Sequence, residues 1–148
     1  MESQSAHGHT VESVRVLVIT SKSPYAVRAL AELARRGDAV PVPIGDLARA
    51  RDIPVQFLEG VFATLRRAGI LQSQRGVKGG YSFARPPGEV TLLEVVDLLE
   101  GELGAEAATN GPIWAEAADA ARAVLAGTTI ADVAEREARD SETPMYYI

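Results

Sequence analysis

The sequence predicts a mainly α-helical fold with one small β-hairpin, and two observations support this. First, two helical segments flank the tight turn Arg51-Asp52-Ile53-Pro54: residues 44–50, and a segment whose first turn Pro54 opens. Second, the glycine-rich basic stretch Arg75-Gly76-Val77-Lys78-Gly79-Gly80-Tyr81 lies between two short runs suited to strands. Helix, turn, helix and hairpin together form the layout of a winged helix-turn-helix.

The elements before the turn follow from local signals. Residues 1–10 are polar and predict a disordered tail, whereas the valine-rich residues 11–20 favour a strand over an extension of the next helix. Ser23 and Pro24 suit the cap and first turn of a helix that Gly37 ends. Prolines keep residues 40–43 extended, and the helix over residues 44–50 follows.

The helix after Pro54 has one apolar stripe and one polar face. Its predicted buried stripe is Leu58, Val61, Phe62 and Leu65, and Gly69 is placed as its C-cap. Residues 70–74 and 81–84 are then short strands that flank the basic tip of the hairpin. Pro86-Pro87-Gly88 breaks the pattern, so residues 11–88 are predicted to form the winged unit.

The acidic C-terminal part is predicted to be helical. Thr91 and Glu94 form a capping box for a helix that runs to about residue 100, and residues 101–112 are irregular. Two further helices follow over residues 113–126 and 129–139, the second with Asp132 three positions in. Residues 89–140 are therefore predicted to be dimerisation or regulatory helices, and residues 141–148 a C-terminal tail.

The alanine-rich helix over residues 113–126 has little of the winged unit to pack on. Pairing with a second copy would bury its apolar side, and the alternative is that it folds back on its own core. The residues predicted to lie in the dimer interface are Ile113, Trp114, Ala117, Ala121, Val124 and Leu125.

Charge is distributed unevenly along the chain. The whole chain carries 15 Lys and Arg against 20 Asp and Glu, a net charge of −5. Residues 21–85 hold 11 basic and five acidic residues, whereas residues 86–148 hold three basic and 13 acidic ones. A basic segment beside an acidic one suggests one part that binds a polyanion and one part that is kept away from it.

A winged helix-turn-helix places its second helix in the major groove of DNA and its hairpin near the backbone or the minor groove. Gln56 and Glu59 lie near the start of that helix, where side chains meet base edges. Three further groups of residues are predicted to contact DNA. They lie near the start of the helix that begins at Ser23, at the end of the helix after Pro54, and on the hairpin tip: Lys22, Tyr25, Arg28, Arg66, Arg67, Arg75 and Lys78.

Other classes of function have little support. The chain has no cysteine, which excludes disulfides, thiolate metal sites and cysteine nucleophiles, and its two histidines, His7 and His9, lie in the polar tail. The glycine spacing of the hairpin fits no phosphate loop. No apolar run approaches membrane-spanning length, and we see no secretory signal. We therefore expect a cytoplasmic protein without catalytic residues, metal or cofactor.

The same residues carry a resemblance to a known family. Segments 21–30, 57–59, 65–69 and the Arg-Gly-x-x-Gly-Gly-Tyr hairpin resemble the BadM/Rrf-type family of bacterial winged helix-turn-helix transcriptional regulators, over residues 21–100 and more weakly over 114–134. The resemblance implies a homodimer that binds a double-stranded DNA operator, usually as a repressor, and crosses its partner with the helix over residues 113–126. It places Gln56, Phe57 and Glu59 where the family reads DNA, and Arg75 where its wing enters the minor groove.

The chain departs from the family in two places. Pro54 and Gly60 replace polar residues that are common there, which leaves the operator sequence open. Many relatives hold an iron–sulfur cluster with three cysteines in the segment before the dimer helix, but residues 101–112 contain neither cysteine nor histidine. The resemblance therefore implies a cluster-free member whose signal is a small molecule, a partner protein or nothing. A winged protein-interaction module and a small-molecule-sensing dimer remain alternatives.

Overall fold

The computed structural model describes residues 16–77 and 79–142. Six α-helices, two short 3-10 helices (Pro87–Glu89 and Ala108–Asn110) and one two-stranded antiparallel sheet are formed there. The helices are α1 (Lys22–Arg36), α2 (Ile44–Arg51), α3 (Val55–Arg67), α4 (Leu92–Glu100), α5 (Pro112–Ala126) and α6 (Ile130–Glu142), and the strands are β1 (Leu71–Gln74) and β2 (Gly80–Phe83). The predicted fold, mainly helical with a small β wing, is confirmed.

The N-terminal end differs from the prediction in two ways. Helix α1 begins at Lys22, one residue before the expected cap, and the buried hydroxyl of Ser23 donates a hydrogen bond to Glu100 (2.8 Å). Residues 16–20 form no strand, so that expectation is wrong for the described part of the segment. The reason is that the N–H and hydroxyl of Thr20 are bound by the Glu100 carboxylate rather than by a neighbouring strand. The predicted disordered tail, residues 1–10, lies outside the described residues.

The helix-turn-helix forms as predicted. Asp52, directly after α2, adopts the left-handed conformation (φ 57°), which ends that helix and begins the turn into α3. The Ile53 N–H then donates to the Ala48 carbonyl (2.9 Å). The predicted stripe of α3, and Leu47 and Ala48 on α2, are all buried, and Gly69 follows the last residues of α3 with φ 83°.

Two glycines allow the wing to close on the strand-like residue Val42. Strands β1 and β2 pair antiparallel, and Tyr81 exchanges two backbone hydrogen bonds with Val42 (2.8 and 2.9 Å). A Cβ on Gly80 would lie 2.3 Å from the Val42 carbonyl carbon, and one on Gly79 would lie 2.2 Å from the Gln74 carbonyl oxygen. Only glycine fits both positions, which lets the hairpin close and pack against Val42.

The C-terminal helices begin with the predicted caps and share the core of the winged unit. The Thr91 hydroxyl accepts from the Glu94 N–H (3.1 Å), and Thr129 and Asp132 cap α6 reciprocally. Ile130 is fully buried in the same cluster as Leu30, Phe62 and Val95. The division of the chain near residue 88 into DNA-binding and dimerisation parts stays a prediction, because residues on both sides of it contribute to one core.

Candidate nucleic-acid interface

Helix α3 turns its apolar stripe to the core and leaves the predicted reading face open. Gln56, Glu59, Arg66 and Arg67 are exposed, as is Gly60 between them. Phe57 differs from these because it is half-buried and packs against the core. Its ring meets the edge of Tyr25 at a centroid distance of 5.5 Å. Phe57 therefore fixes α3 against α1 and presents only part of its ring outward.

The start of α1 lies beside this face. Tyr25, one of the predicted DNA contacts, is half-buried between Phe57 and the Arg28 guanidinium, whose carbon lies 4.7 Å from the Tyr25 ring centroid. This cation–π contact orients an exposed cation next to α3. Lys22, the first residue of α1, is also exposed.

The wing carries exposed groups beyond the sheet. Arg75 is exposed, and the side chain of Val77 is fully exposed at the tip. The Gly79 N–H donates to the Gly76 carbonyl (2.9 Å), which closes the tip. Lys78, the other predicted wing cation, lies outside the described residues.

Ion pairing divides the basic residues of segment 21–85 into two groups. Five of them contact carboxylates within the chain: Arg35, Arg36, Arg49, Arg51 and Arg85. Among the described residues, Lys22, Arg28, Arg66, Arg67 and Arg75 form no ion pair with any carboxylate. These five cations without a carboxylate partner are the described cations of the predicted DNA-binding set.

Arg51 has a different role from the one its place in the basic segment suggests. It joins α2 to α1 and α6, because its guanidinium donates to Glu32 (2.8 Å) and in bidentate fashion to Glu137 (2.7 and 3.1 Å). The hydrogen bonds to Glu137 raise the pKa of Arg51, so it stays charged. Burial alone would raise the pKa of Glu32, but the guanidinium groups of Arg51 and Arg36 hold it below its usual value. Sequence reasoning missed this junction, since Arg51 and Glu137 are 86 residues apart.

Helix α5 packs against its own chain along one edge and exposes apolar groups along another. Ala118 is buried against Gly104, and Arg122 donates two hydrogen bonds to Asp97 (3.0 and 3.1 Å). Of the predicted interface residues, three are exposed at 62%, 49% and 67%, namely Ile113, Trp114 and Val124. The other three are half-buried: Ala117, Ala121 and Leu125.

The described residues do not fit an iron–sulfur cluster. The segment before α5, where the family resemblance would place one, offers carboxylates such as Glu102 and Glu106 but no thiolate. Among the described residues, no three His, Cys, Asp or Glu side chains group as metal ligands. His7 and His9 lie outside that part of the chain. No helix within 16–77 and 79–142 is long and apolar enough to cross a membrane.

A turn-linked helix pair, a glycine-closed wing and a row of unpaired cations define a winged helix-turn-helix DNA-binding protein. Residues 19–136 match the Rrf2 family, described as iron-dependent transcriptional regulators. The chain belongs to this family, and the resemblance found in its sequence is confirmed. A protein of Mycobacterium tuberculosis named as an HTH-type transcriptional regulator is 35% identical over 129 residues, which cover 78% of this chain and 80% of the relative.

Two solved structures have the same fold. The structure of IscR from T. potens is 29% identical with a TM-score of 0.74 and covers 88% of this chain and 95% of its own. That of CymR from Bacillus subtilis, titled the global cysteine regulator of that organism, is 29% identical with a TM-score of 0.73 and covers 81% and 98% of the two chains. The chain is thus a transcriptional regulator of the Rrf2 family.

Proposed function

We propose that this regulator binds a double-stranded operator as a cytoplasmic homodimer, represses transcription and holds no iron–sulfur cluster. The observation that carries the proposal is the division of the cations, because arginines in the basic segment that lack a carboxylate partner lie on α1, α3 and the wing. An exposed cation without an internal partner is available to phosphate, whereas a paired one must first lose its carboxylate.

The proposed contacts divide by role. Gln56 and Glu59 are exposed near the start of α3, where the side chains of a recognition helix meet base edges. Arg66 and Arg67 lie at its other end and suit the sugar–phosphate backbone. Arg75 lies next to a glycine with φ 109°, so the backbone can approach a groove closely there.

The homodimer would use the exposed stripe of α5. Ile113, Ala117, Ala121 and Val124 recur at helical spacing, and the first and last are more than 60% exposed. Burying such a stripe against a second copy removes apolar surface from water. A two-fold dimer would then present two α3 helices to half-sites separated by whole turns of DNA.

The side chains available support the cluster-free part of the proposal, and repression is what the family resemblance implies. Cluster irons are bound mostly by cysteine thiolates, and this chain has none. The proposal therefore needs no metal for operator binding. A protein purified with and without chelator should bind its operator equally well.

A gel shift tests the proposal. The purified protein is titrated against its own upstream promoter region, with excess nonspecific competitor, at a low and at a physiological salt concentration. We expect a competitor-resistant shift that weakens steeply with salt and whose size corresponds to a dimer. A shift that competitor removes completely at both salts would contradict sequence-specific binding.

A further inference from the structure

A cleft opens between the recognition helix and the end of α4. Its volume is roughly 380 Å³, within the range of small-molecule sites. The first residue of α1 forms one side, α3 forms the second side and α4 the third, and the lining residues are Lys22, Phe57, Gly60, Val61, Thr64, Leu98 and Leu99. The cleft therefore joins the face predicted to read DNA to the helices that follow the wing.

The lining has one charge and an apolar floor. Phe57, Val61 and Leu99 belong to the core or pack against it, and Leu98 is 39% exposed. Gly60 leaves the α3 wall open, since a Cβ there would meet nothing within 4 Å. The Thr64 hydroxyl is already engaged with the Gly60 carbonyl (3.3 Å). Among the described residues, the lining contains no carboxylate and Lys22 is its only cation.

The acidic groups at the end of α4 line another space. Glu100, Glu102 and Glu106 line a separate cleft with Val18 and the 101–105 loop. The Glu100 carboxylate is also held by the hydroxyls of Thr20 and Ser23. The two clefts therefore differ in charge, and the one beside α3 is lined by apolar side chains and by Lys22, which has no carboxylate partner among the described residues.

We propose that the α3–α4 cleft binds a small aliphatic carboxylic acid, with the carboxylate on Lys22 and the chain on Phe57, Val61 and Leu98. An ammonium above apolar side chains matches an amphipathic anion, while a neutral molecule of the same shape loses the charge interaction. This inference rests on the proposed function in one respect, because Lys22 also belongs to the predicted DNA-binding set. The acid and the operator then compete for Lys22, and the acid weakens operator binding.

Calorimetry on the DNA-free protein tests the site directly. The probes are butyrate, hexanoate and octanoate, each paired with its neutral amide. We expect the acids to bind more tightly than the amides, with affinity rising about fourfold for each added methylene group that becomes buried. Equal binding of acids and amides, or no binding by any acid in the series, would overturn the proposal.

Three variants locate the binding. Lys22→Gln should remove the preference for acid over amide, and Leu98→Glu should abolish acid binding by placing a carboxylate in the cleft. Arg66→Gln is the matched control, because Arg66 on α3 is, like Lys22, an exposed cation without a carboxylate partner, and it does not line the cleft. Acid affinity should be unchanged in this control. An equal loss in Arg66→Gln and Lys22→Gln would contradict the assignment to the cleft.

Operator binding is measured separately to keep the two proposals apart. In wild-type protein, octanoate should weaken the operator complex. In Leu98→Glu, the operator complex should form, and octanoate should no longer weaken it. Operator binding without any acid binding would overturn only the proposal that the cleft binds an acid. Acid binding without operator binding would overturn only the proposed function. Loss of the dimer in Leu98→Glu, with no acid binding in wild type, would mean that a second copy fills the cleft.

Discussion

The arginines of the α3 face and Arg51 at the junction of α1, α2 and α6 differ in exposure and in their carboxylate partners. On α3, Arg66 and Arg67 are exposed and have no carboxylate partner among the described residues. At the junction, the side chain of Arg51 is only 14% exposed and contacts two carboxylates. Arg66 and Arg67 are therefore available to a polyanion, whereas Arg51 holds three helices of its own chain together.

This difference shows why net charge alone misleads for this protein. The chain carries −5 overall, yet acidic residues neutralise several arginines of the basic segment internally. The charge that an approaching DNA would meet depends on which arginines lack partners. The spatial arrangement of ion pairs, and not the count of basic residues, marks the candidate interface.

The largest expected effect is the response of operator affinity to salt. If each protomer of a dimer places Lys22, Arg28, Arg66 and Arg67 on phosphates, about eight counterions are released. Operator affinity should then fall by about 10³- to 10⁵-fold between 50 and 200 mM salt. Fluorescence anisotropy on labelled operator measures this, and a decrease of less than tenfold would show that these cations stay off the DNA.

The next effect concerns stability. Arg51→Ala should lower the free energy of unfolding by about 2–3 kcal/mol, because Glu32 and Glu137 lose their shared partner in a partly buried site. Urea denaturation measures the change. Arg66→Ala is the matched control and should alter stability by no more than about 0.5 kcal/mol. Equal losses in the two variants would remove the distinction between paired and unpaired cations.

A smaller effect is expected from the wing. Arg75→Ala should weaken operator binding by roughly 10- to 30-fold, about 1.4–2 kcal/mol, because it removes one exposed cation near a groove. Size-exclusion chromatography should show an unchanged dimer. The wing would have no part in binding if the variant retained full operator affinity.

The smallest effect is a dependence of stability on pH at Glu100. Partial burial alone would raise the pKa of Glu100, but the hydrogen bonds from Ser23 and Thr20 outweigh it and hold the pKa below its usual 4.5. The stabilisation is therefore present above pH 4.5 and disappears as pH falls through the lowered value. Glu100→Gln should be less stable than wild type at pH 7, and the gap should narrow in acid. A gap that is constant from pH 7 to pH 3 would contradict this.

The parts of the fold that depend on local sequence were predictable. The stripe of α3, the glycine after it and the caps at Thr91 and Thr129 all depend on residues within one or two turns of each other. The wing was also predictable, because its glycine-rich tip lies between two short runs suited to strands, and in the structure Gly79 and Gly80 occupy positions where a Cβ would collide with the backbone.

The errors came from long-range contacts. Residues 16–20 have the β-branched composition of a strand, yet the N–H and hydroxyl of Thr20 bind Glu100, which is 80 residues away. The ion pairs of Arg51 were not predicted for the same reason, since no local sequence pattern pairs Arg51 with Glu137. The α3–α4 cleft likewise depends on how α4 packs beside α3.

The most direct test compares two pairs of neighbouring arginines by operator anisotropy at several salt concentrations. Arg66→Ala with Arg67→Ala removes unpaired cations, and Arg35→Ala with Arg36→Ala removes paired ones. We expect the first double variant to lose at least tenfold in affinity and to flatten the salt dependence, while the second retains both. Equal losses in the two double variants would contradict the claim that internal ion pairing marks the DNA-binding face.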